Sequence, residues 1–279
     1  MPAVDYEERG RGVPVVLVHG FPFDRSIWSA QLEELSDEAR VIAIDLPGFG
    51  GSEPLGEEEA SIDGYADAIA RWAGETGLDR LVIVGHSMGG YVALAFARRH
   101  PEMLAGLGLV CTRPGPDTEQ ARQGRYTMIE NVRDKGAQAV VDAMLPRLLS
   151  PGTREERPGV EEQTREVMLR QGSDGIIAAL QAMASRPDSS PMLAQIEVPT
   201  AVIGGADDAI IPAAEEDLMA ATIPGATQLR IDGAGHMPML EQPGRLTEAL
   251  RNLARGSGTT PAIPTPADPH NIEGVRRHD

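Results

Sequence analysis

Short apolar runs bounded by turn residues recur along the chain, and most of them are continuous rather than alternating. They cover residues 13–20, 41–48, 81–87, 105–112, 199–205 and 227–233. A strand that is buried on both faces, as in a parallel sheet, has this uninterrupted apolar pattern. The runs therefore predict six strands of a mostly parallel sheet.

Segments with a helical pattern separate the predicted strands. They cover residues 26–35, 62–76, 88–100, 212–222 and 243–254. Pro101 ends the third of these helices, and Ser61 and Asp63 are both candidates for the N-cap of the second. Strands and helices that alternate at this spacing are typical of a doubly wound sheet, so the predicted fold class is α/β.

One long stretch, residues 113–190, interrupts this alternation. It holds no convincing strand, but it includes helix-like patches such as EEQTREVMLR and GIIAALQAMA. An ordinary connection is much shorter, so the stretch predicts a helical cap over one edge of the sheet. The alternative is a set of surface helices without a function. The core then comprises residues 1–112 and 191–255, and a Pro-, Gly- and Thr-rich composition predicts a disordered tail at 256–279.

Composition and charge limit the partners of the chain. Its 279 residues carry a net charge of −17, with a pI of about 4.8. Nucleic acids and anionic membranes bind basic surfaces, so neither is an expected partner. No run approaches the ~18 apolar residues of a membrane span, and the N-terminus lacks a signal-peptide pattern. We expect a cytoplasmic protein that acts on a small molecule, and the sequence leaves the oligomeric state open.

The stretch LVIVGHSMGGYVAL contains the pattern G-x-S-x-G, with Ser87 at its centre. An apolar strand precedes the serine and a helical pattern follows it, which is the context of a nucleophile elbow. Small residues at positions 85 and 89 allow the strand and the helix to pass closely. The pattern therefore predicts that Ser87 is a nucleophile at the carboxyl end of the strand.

A serine nucleophile needs a base, and the base needs an acid that orients it. Elimination among the six histidines leaves His236, in the loop after the last predicted strand. The segment VIGGADDAIIP supplies the acid, and its register favours Asp208 over Asp207. Asp117, which follows an earlier strand, is the outside candidate. The order Ser87, Asp208, His236 is the chain order of an α/β-hydrolase triad.

Charge that develops on the substrate oxygen needs backbone donors placed in advance. The N–H of Met88, next to the serine, is one candidate, and the N–H of Phe21 in the loop HGFPFD is the other. Phe21 and Trp28 are also predicted to contact the substrate, with core packing as the alternative for Trp28. The chain lacks a phosphate-binding glycine motif. With Cys111 as the only cysteine, a metal–thiolate cluster is excluded, and no cofactor or metal is expected.

Five segments resemble the α/β-hydrolase fold superfamily, over residues 13–243. They are VLVHGFPFDRSIW, DLPGFGGS, GHSMGGYVAL, GGADDAIIP and GAGHMPMLEQP. The chain looks most similar to small microbial serine carboxylesterases. This resemblance implies hydrolysis of carboxylic esters with short to medium acyl chains, through an acyl-enzyme intermediate.

Two other interpretations of the function stay open at this stage, and so does the role of the cap methionines. An enol-lactonase or a C–C bond hydrolase of ring-cleavage products would need a cation for the substrate carboxylate, which Arg122, Arg125 or Arg147 could supply. A ligand receptor that turns over slowly would keep the same triad. Four methionines of the cap either line an apolar pocket or pack as ordinary core; they are Met128, Met144, Met168 and Met183.

Overall fold

A seven-stranded sheet runs through the computed structural model, which describes residues 4–56 and 58–258. Its order is β1-β3-β2-β4-β5-β6-β7; β1 pairs antiparallel with β3, and all other pairs are parallel. The strands are β1 (Tyr6–Arg9), β2 (Pro14–Val18), β3 (Arg40–Ile44), β4 (Leu81–His86), β5 (Leu104–Val110), β6 (Thr200–Gly205) and β7 (Thr227–Ile231). The predicted α/β class and the mostly parallel sheet are thus confirmed.

The central strands are covered by helices on both faces of the sheet, which explains their unbroken apolar runs. Every residue of β4, β5 and β6 is buried. Strand β1 was not predicted, because all four residues of its sequence YEER are exposed and form no apolar pattern. It is held by its ladder to β3, from Tyr6 opposite Ile44 to Arg9 opposite Val41. An edge strand stabilised mainly by backbone pairing leaves little trace in hydrophobicity.

Eleven α-helices lie within the described residues. They are α1 (Ser29–Glu34), α2 (Ile62–Glu75), α3 (Met88–Arg99), α4 (Glu119–Lys135), α5 (Gln138–Leu148), α6 (Pro151–Glu156), α7 (Pro158–Leu169), α8 (Ser173–Ala184), α9 (Ala213–Thr222), α10 (Pro238–Glu241) and α11 (Pro243–Gly258). The helix predicted at 26–35 begins instead as a 3₁₀ turn over Arg25–Trp28. Of the two candidate caps of α2, Ser61 is the one that accepts a hydrogen bond, from the N–H of Gly64 at 2.9 Å.

The stretch 113–190 folds into helices α4 to α8, between strands β5 and β6. It is tied to loops at the carboxyl ends of the strands. Arg170 and Gln171 donate hydrogen bonds of 2.7 and 2.8 Å to Asp24, and Gln171 accepts one from the N–H of Gly50. Its apolar side chains join the same hydrophobic core as those of the sheet. The helices therefore lie where a cap over the site would lie; the division into domains stays a prediction.

Residues 256–258, which the sequence analysis assigns to the C-terminal tail, belong to a helix. Helix α11 continues to Gly258, and the hydroxyl of Ser257 donates to the carbonyl of Leu253 at 2.8 Å. Ser257 packs so closely on Gly106 of β5 that a Cβ there would lie 2.2 Å from its hydroxyl oxygen. This packing continues the helix despite the Gly-Ser-Gly composition. Residues 259–279 of the predicted tail lie outside the described residues, and no described helix is long and apolar enough to cross a membrane.

Candidate active site

Ser87 occupies the sharp turn between β4 and α3, with φ +52° and ψ −112°. Among the described residues, only Ser87 and Cys111 combine a side chain with a positive φ. A backbone of this kind costs about 1–3 kcal/mol and persists only where its surroundings hold it. Here the Ser87 N–H donates to Val110 at 2.9 Å, and the hydroxyl of Thr112 donates to the Ser87 carbonyl at 2.8 Å. The end of strand β5 and the segment directly after it thus hold the turn at Ser87.

Glycines next to the elbow allow a close passage of three chain segments. A Cβ at Gly85 would lie 2.1 Å from the carbonyl oxygen of Gly89, and a Cβ at Gly89 would lie 2.4 Å from that of Val18. Real side chains do not tolerate such distances, so both positions require glycine. The start of α3 consequently lies against the loop that follows β2. This contact brings the Met88 and Phe21 segments, the two predicted sources of oxyanion donors, to the same edge of the sheet.

His236 and Asp208 form a buried hydrogen bond, with Nδ1 of the imidazole 2.8 Å from Oδ2 of the carboxylate. The other carboxylate oxygen accepts the N–H groups of Ile210 and Ile211 at 2.7 and 3.0 Å. Burial acts to raise the pKa of Asp208, but the imidazole and these N–H groups outweigh it, so its pKa lies below the usual range. An ionised Asp208 fixes the proton of His236 on Nδ1 and leaves Nε2 free to accept another proton.

The loop of His236 is attached to the elbow through His86. Nε2 of His86 donates to the carbonyl of His236 at 2.8 Å, and the two ring centroids are 4.9 Å apart. Burial, reinforced by the nearby His236, lowers the pKa of His86 to about 3, so this imidazole stays neutral. Because His86 directly precedes Ser87, these contacts place the loop of His236 beside the elbow.

The loop after β2, which carries Phe21, is shaped by His19. Nδ1 of His19 donates to the carbonyl of Gly20 at 2.9 Å, while Nε2 accepts the N–H of Leu46 at 2.9 Å. Gly20 approaches the elbow so closely that a Cβ there would lie 2.5 Å from Nδ1 of His86. The loop is therefore fixed against the residue that precedes Ser87.

Comparison with known proteins identifies the family of the chain. The alpha/beta hydrolase fold family matches residues 13–243 of the chain. The protein belongs to this family. A structure of a thermophilic esterase from Thermogutta terrifontis, with malate bound, is 44% identical, with a TM-score of 0.89 over 92% of this chain and 94% of that one. The predicted resemblance to small microbial esterases is confirmed, and the chain is a hydrolase of the α/β-hydrolase type.

Two further relatives differ in their named activities. The enol-lactonase from Burkholderia xenovorans LB400 is 25% identical, with a TM-score of 0.83, and the match covers 90% of this chain and 96% of that one. The dihydrolipoyllysine-residue acetyltransferase component of the acetoin cleaving system of Cupriavidus necator is 32% identical over 268 residues, which are 91% of this chain and 67% of that protein. The comparisons therefore identify the family, but they do not identify the substrate.

The alternative acids of this α/β-hydrolase lie in different surroundings. The side chain of Asp207 is exposed, and its backbone N–H donates to Ala234 at 2.9 Å. Asp117 is buried, but its carboxylate is bound by Arg113, Arg125 and Arg186. Of the three candidate acids, Asp208 is the one whose carboxylate forms a hydrogen bond with His236.

Most side chains that were predicted to contact the substrate lie in the hydrophobic core or pack against it. Trp28 is fully buried and packs edge-on against His86, with ring centroids 6.5 Å apart, which favours the core-packing alternative. Phe21 is also nearly buried, with 5% of its surface exposed. Of the four cap methionines, Met168 and Met183 are core residues, while Met128 and Met144 are partly buried against the same core.

One group of metal-ligating side chains lies within the part of the chain that the structure describes. Sγ of Cys111, a carboxylate oxygen of Asp208 and a ring nitrogen of His236 are within 4.8 Å of one another. Burial raises the pKa of the Cys111 thiol well above its usual value, and the Asp208 carboxylate adds to this shift. A protonated thiol is a poor metal ligand, and Nδ1 of His236 is already bonded to Asp208. These contacts fit an acid–base pair better than a metal site.

Sequence reasoning did not single out three residues that hold the site. Thr112 and His86 are bonded as described above, and Glu241 accepts hydrogen bonds from backbone N–H groups on both sides of His236. In the sequence, this glutamate is the one acidic residue of the segment HMPMLEQP, five residues after the histidine. That isolated charge was the available signal.

Proposed function

We propose that this α/β-hydrolase cleaves carboxylic esters of short to medium acyl chains through an acyl-enzyme intermediate. The observation that carries the proposal is the hydrogen bond of 2.8 Å between His236 and Asp208, in a loop attached to the strained Ser87 elbow. The likeness to a thermophilic esterase at 44% identity supports the same chemistry. A cytoplasmic location stays a prediction of the sequence.

The first half of the reaction transfers the acyl group to the enzyme. The Ser87 hydroxyl oxygen attacks the ester carbonyl carbon while Nε2 of His236 takes the hydroxyl proton. Asp208 stabilises the imidazolium that forms, and the N–H groups of Phe21 and Met88 donate to the oxyanion. The bond between the carbonyl carbon and the alkoxy oxygen then breaks. His236 returns its proton to the departing alcohol, leaving Ser87 acylated.

The second half repeats these steps with water. Nε2 of His236 takes a proton from a water molecule as its oxygen attacks the acyl carbon. The bond to Ser87 breaks, the serine oxygen regains the proton from His236, and the carboxylic acid leaves. The same oxyanion donors act in both halves, so no group besides the triad and these two amides is required.

A lactone is a cyclic ester, and the likeness to an enol-lactonase makes lactone hydrolysis the second candidate. The cap arginines that would hold an anionic ring-cleavage product already have partners. Arg125 binds Asp117, Arg147 donates to the carbonyl of Ala209 at 2.6 Å, and Arg122 pairs with Glu119. These contacts favour an uncharged ester or lactone over such a product.

Steady-state hydrolysis of nitrophenyl esters from acetate to dodecanoate tests the proposal, with simple lactones assayed in parallel. We expect turnover that falls by at least about 10⁴-fold in Ser87→Ala. Ser36→Ala is the matched control, because Ser36 lies in the turn after α1, where its hydroxyl donates to the carbonyl of Glu33. Turnover that survives in Ser87→Ala contradicts the nucleophile. Faster turnover of lactones favours the second candidate, and a single slow turnover with retained product favours a receptor.

A further inference from the structure

A buried carboxylate that the reaction scheme does not use lies directly behind the proposed base. Glu241, in α10, has only 1% of its surface exposed. Its Oε1 accepts the N–H of Gly235 at 2.8 Å and that of Met237 at 3.3 Å. These two residues flank His236 on either side. The carboxylate therefore holds the backbone of the base from both neighbouring residues.

The second oxygen of the same carboxylate reaches into the cap. Oε2 of Glu241 accepts the N–H of Ser150 at 2.7 Å, and Ser150 is the N-cap of α6. The segment before it also contacts the loop, since the N–H of His236 donates to the carbonyl of Leu148 at 2.8 Å. A Cβ at Gly235 would lie 2.7 Å from the nitrogen of Ser150, so the two segments are in direct contact. Cap and base loop thus share one carboxylate.

Both oxygens of Glu241 accept backbone N–H groups, and this pattern is specific to a carboxylate. An amide in its place has one acceptor oxygen and one NH₂ donor. Whichever way the amide turns, its NH₂ group faces a backbone N–H, either that of Ser150 or those beside His236. A buried donor left without an acceptor is costly, so the loop or the cap segment has to move.

We infer that Glu241 is a positioning residue, which fixes the loop of His236 against the cap so that Nδ1 stays bonded to Asp208 and Nε2 faces Ser87. The inference rests on the proposed function, because it assigns the residue to the same acyl transfer. It adds that the cap takes part in placing the base, through the N–H of Ser150. Misplacement of a reacting group by about 1 Å costs on the order of 10²-fold in rate.

The first test replaces Glu241→Gln and measures kcat, KM and the downfield proton resonance of the His236–Asp208 hydrogen bond. We expect kcat to fall roughly 10- to 100-fold, KM to stay within about twofold, and the resonance to weaken or broaden. Asp117→Asn is the matched control, since it also removes a buried carboxylate and leaves its partners unpaired. This control should lose stability but keep kcat and the resonance.

The second test acts on the cap side of the carboxylate by comparing two variants of Ser150, and it applies even if Glu241→Gln fails to fold. Ser150→Pro deletes the N–H donated to Glu241, and the φ of −60° at this position suits proline. Ser150→Ala removes only the hydroxyl. We expect Ser150→Pro to have a kcat at least about fivefold below that of Ser150→Ala, in line with the loss of a hydrogen bond to a charged group.

Two outcomes would overturn the inference. One is Glu241→Gln with an unchanged resonance and kcat within twofold of wild type; the other is equal kcat in Ser150→Pro and Ser150→Ala. Failure of the proposed function is separable, because wild-type protein would then not hydrolyse esters in a Ser87-dependent manner. The resonance of His236 still reports its position in that case.

Discussion

Asp208 and Asp117 are buried carboxylates in the loops after neighbouring strands, β6 and β5, and their surroundings differ in one respect. Asp208 faces an imidazole and two backbone N–H groups. Asp117 faces three guanidinium groups, those of Arg113, Arg125 and Arg186. Burial acts to raise the pKa of each aspartate, and the partners outweigh it, so both pKa values lie below the usual range.

The difference in partner determines what each carboxylate can do. A guanidinium does not lose its proton near neutral pH, so the Asp117 cluster keeps its charges and joins the loop after β5 to α4 and to the segment that follows α8. An imidazole gains and loses a proton in that range. The Asp208 pair can therefore take part in proton transfer, while the Asp117 cluster can only hold structure.

The largest effect that separates the two sites is expected for Asp208→Asn. The amide can turn its NH₂ away and accept the proton of Nδ1, or it can force the other tautomer of His236, and in neither case does it supply the negative charge that stabilises the imidazolium. We expect kcat for ester hydrolysis to fall on the order of 10⁴-fold, with a folded protein. Retention of more than a tenth of wild-type kcat would contradict Asp208 as the acid.

The reverse result is expected for Asp117→Asn, in which three arginines lose their common counter-ion. Arg186 has only 2% of its side chain exposed, and it also stacks on the ring of Tyr91 at 4.1 Å. Breaking a buried ion pair on one side costs about 3–5 kcal/mol, so urea unfolding should show a loss of this size. Ester hydrolysis by the folded fraction should stay within about threefold of wild type. A drop in kcat as large as that of Asp208→Asn would restore Asp117 as a candidate acid.

Sequence reasoning found the chemistry of the Asp208 site more readily than the contacts that hold it. The G-x-S-x-G pattern and the chain order of three residues point to Ser87, Asp208 and His236, because a strand end and a loop confine these side chains to one edge. The three arginines around Asp117 come from positions up to 69 residues away from it along the chain. Hydrophobic periodicity carries no information on which cap helix contacts which loop.

The same limit applies to Trp28 and Glu241. An aromatic residue after a loop has no pattern that tells a pocket wall from the core, and the structure buries Trp28 against His86. Glu241 is charged and fully buried, so a hydrophobicity scale places it at the surface. Its burial is compensated by three backbone N–H groups from two separate segments, which only the folded chain brings together.

The third prediction compares the sites by their dependence on pH. His86, which contacts the loop of His236, has its pKa lowered by burial to about 3. Between about pH 6.5 and pH 3, its imidazole is therefore protonated in the unfolded chain and neutral in the folded chain. Stability is then lost by up to about 1.4 kcal/mol per pH unit as the pH falls below 6.5. The lowered pKa values of Asp208 and Asp117 act only below about pH 4, where the unfolded chain takes up their protons first.

Urea unfolding of wild type and His86→Gln between pH 7 and pH 5 measures this contribution. The variant should show a shallower loss of stability toward pH 5, by up to about 1.4 kcal/mol per pH unit. Burial also lowers the pKa of His19, so a part of the slope should remain in the variant. Parallel pH profiles for the two proteins would mean that His86 is protonated in the folded state.

The smallest effect is expected for Asp207→Asn, which changes the residue next to the proposed acid. Its side chain is exposed, and its contribution to the loop is the backbone N–H that donates to Ala234, which the substitution leaves in place. We expect kcat within about twofold of wild type and stability within about 0.5 kcal/mol. Steady-state kinetics and urea unfolding beside Asp208→Asn measure both.

The two substitutions alter the same functional group one residue apart, so a large difference between them isolates burial and the bond to His236 as the cause. Equal losses in both would instead assign the activity to the negative charge of the loop as a whole.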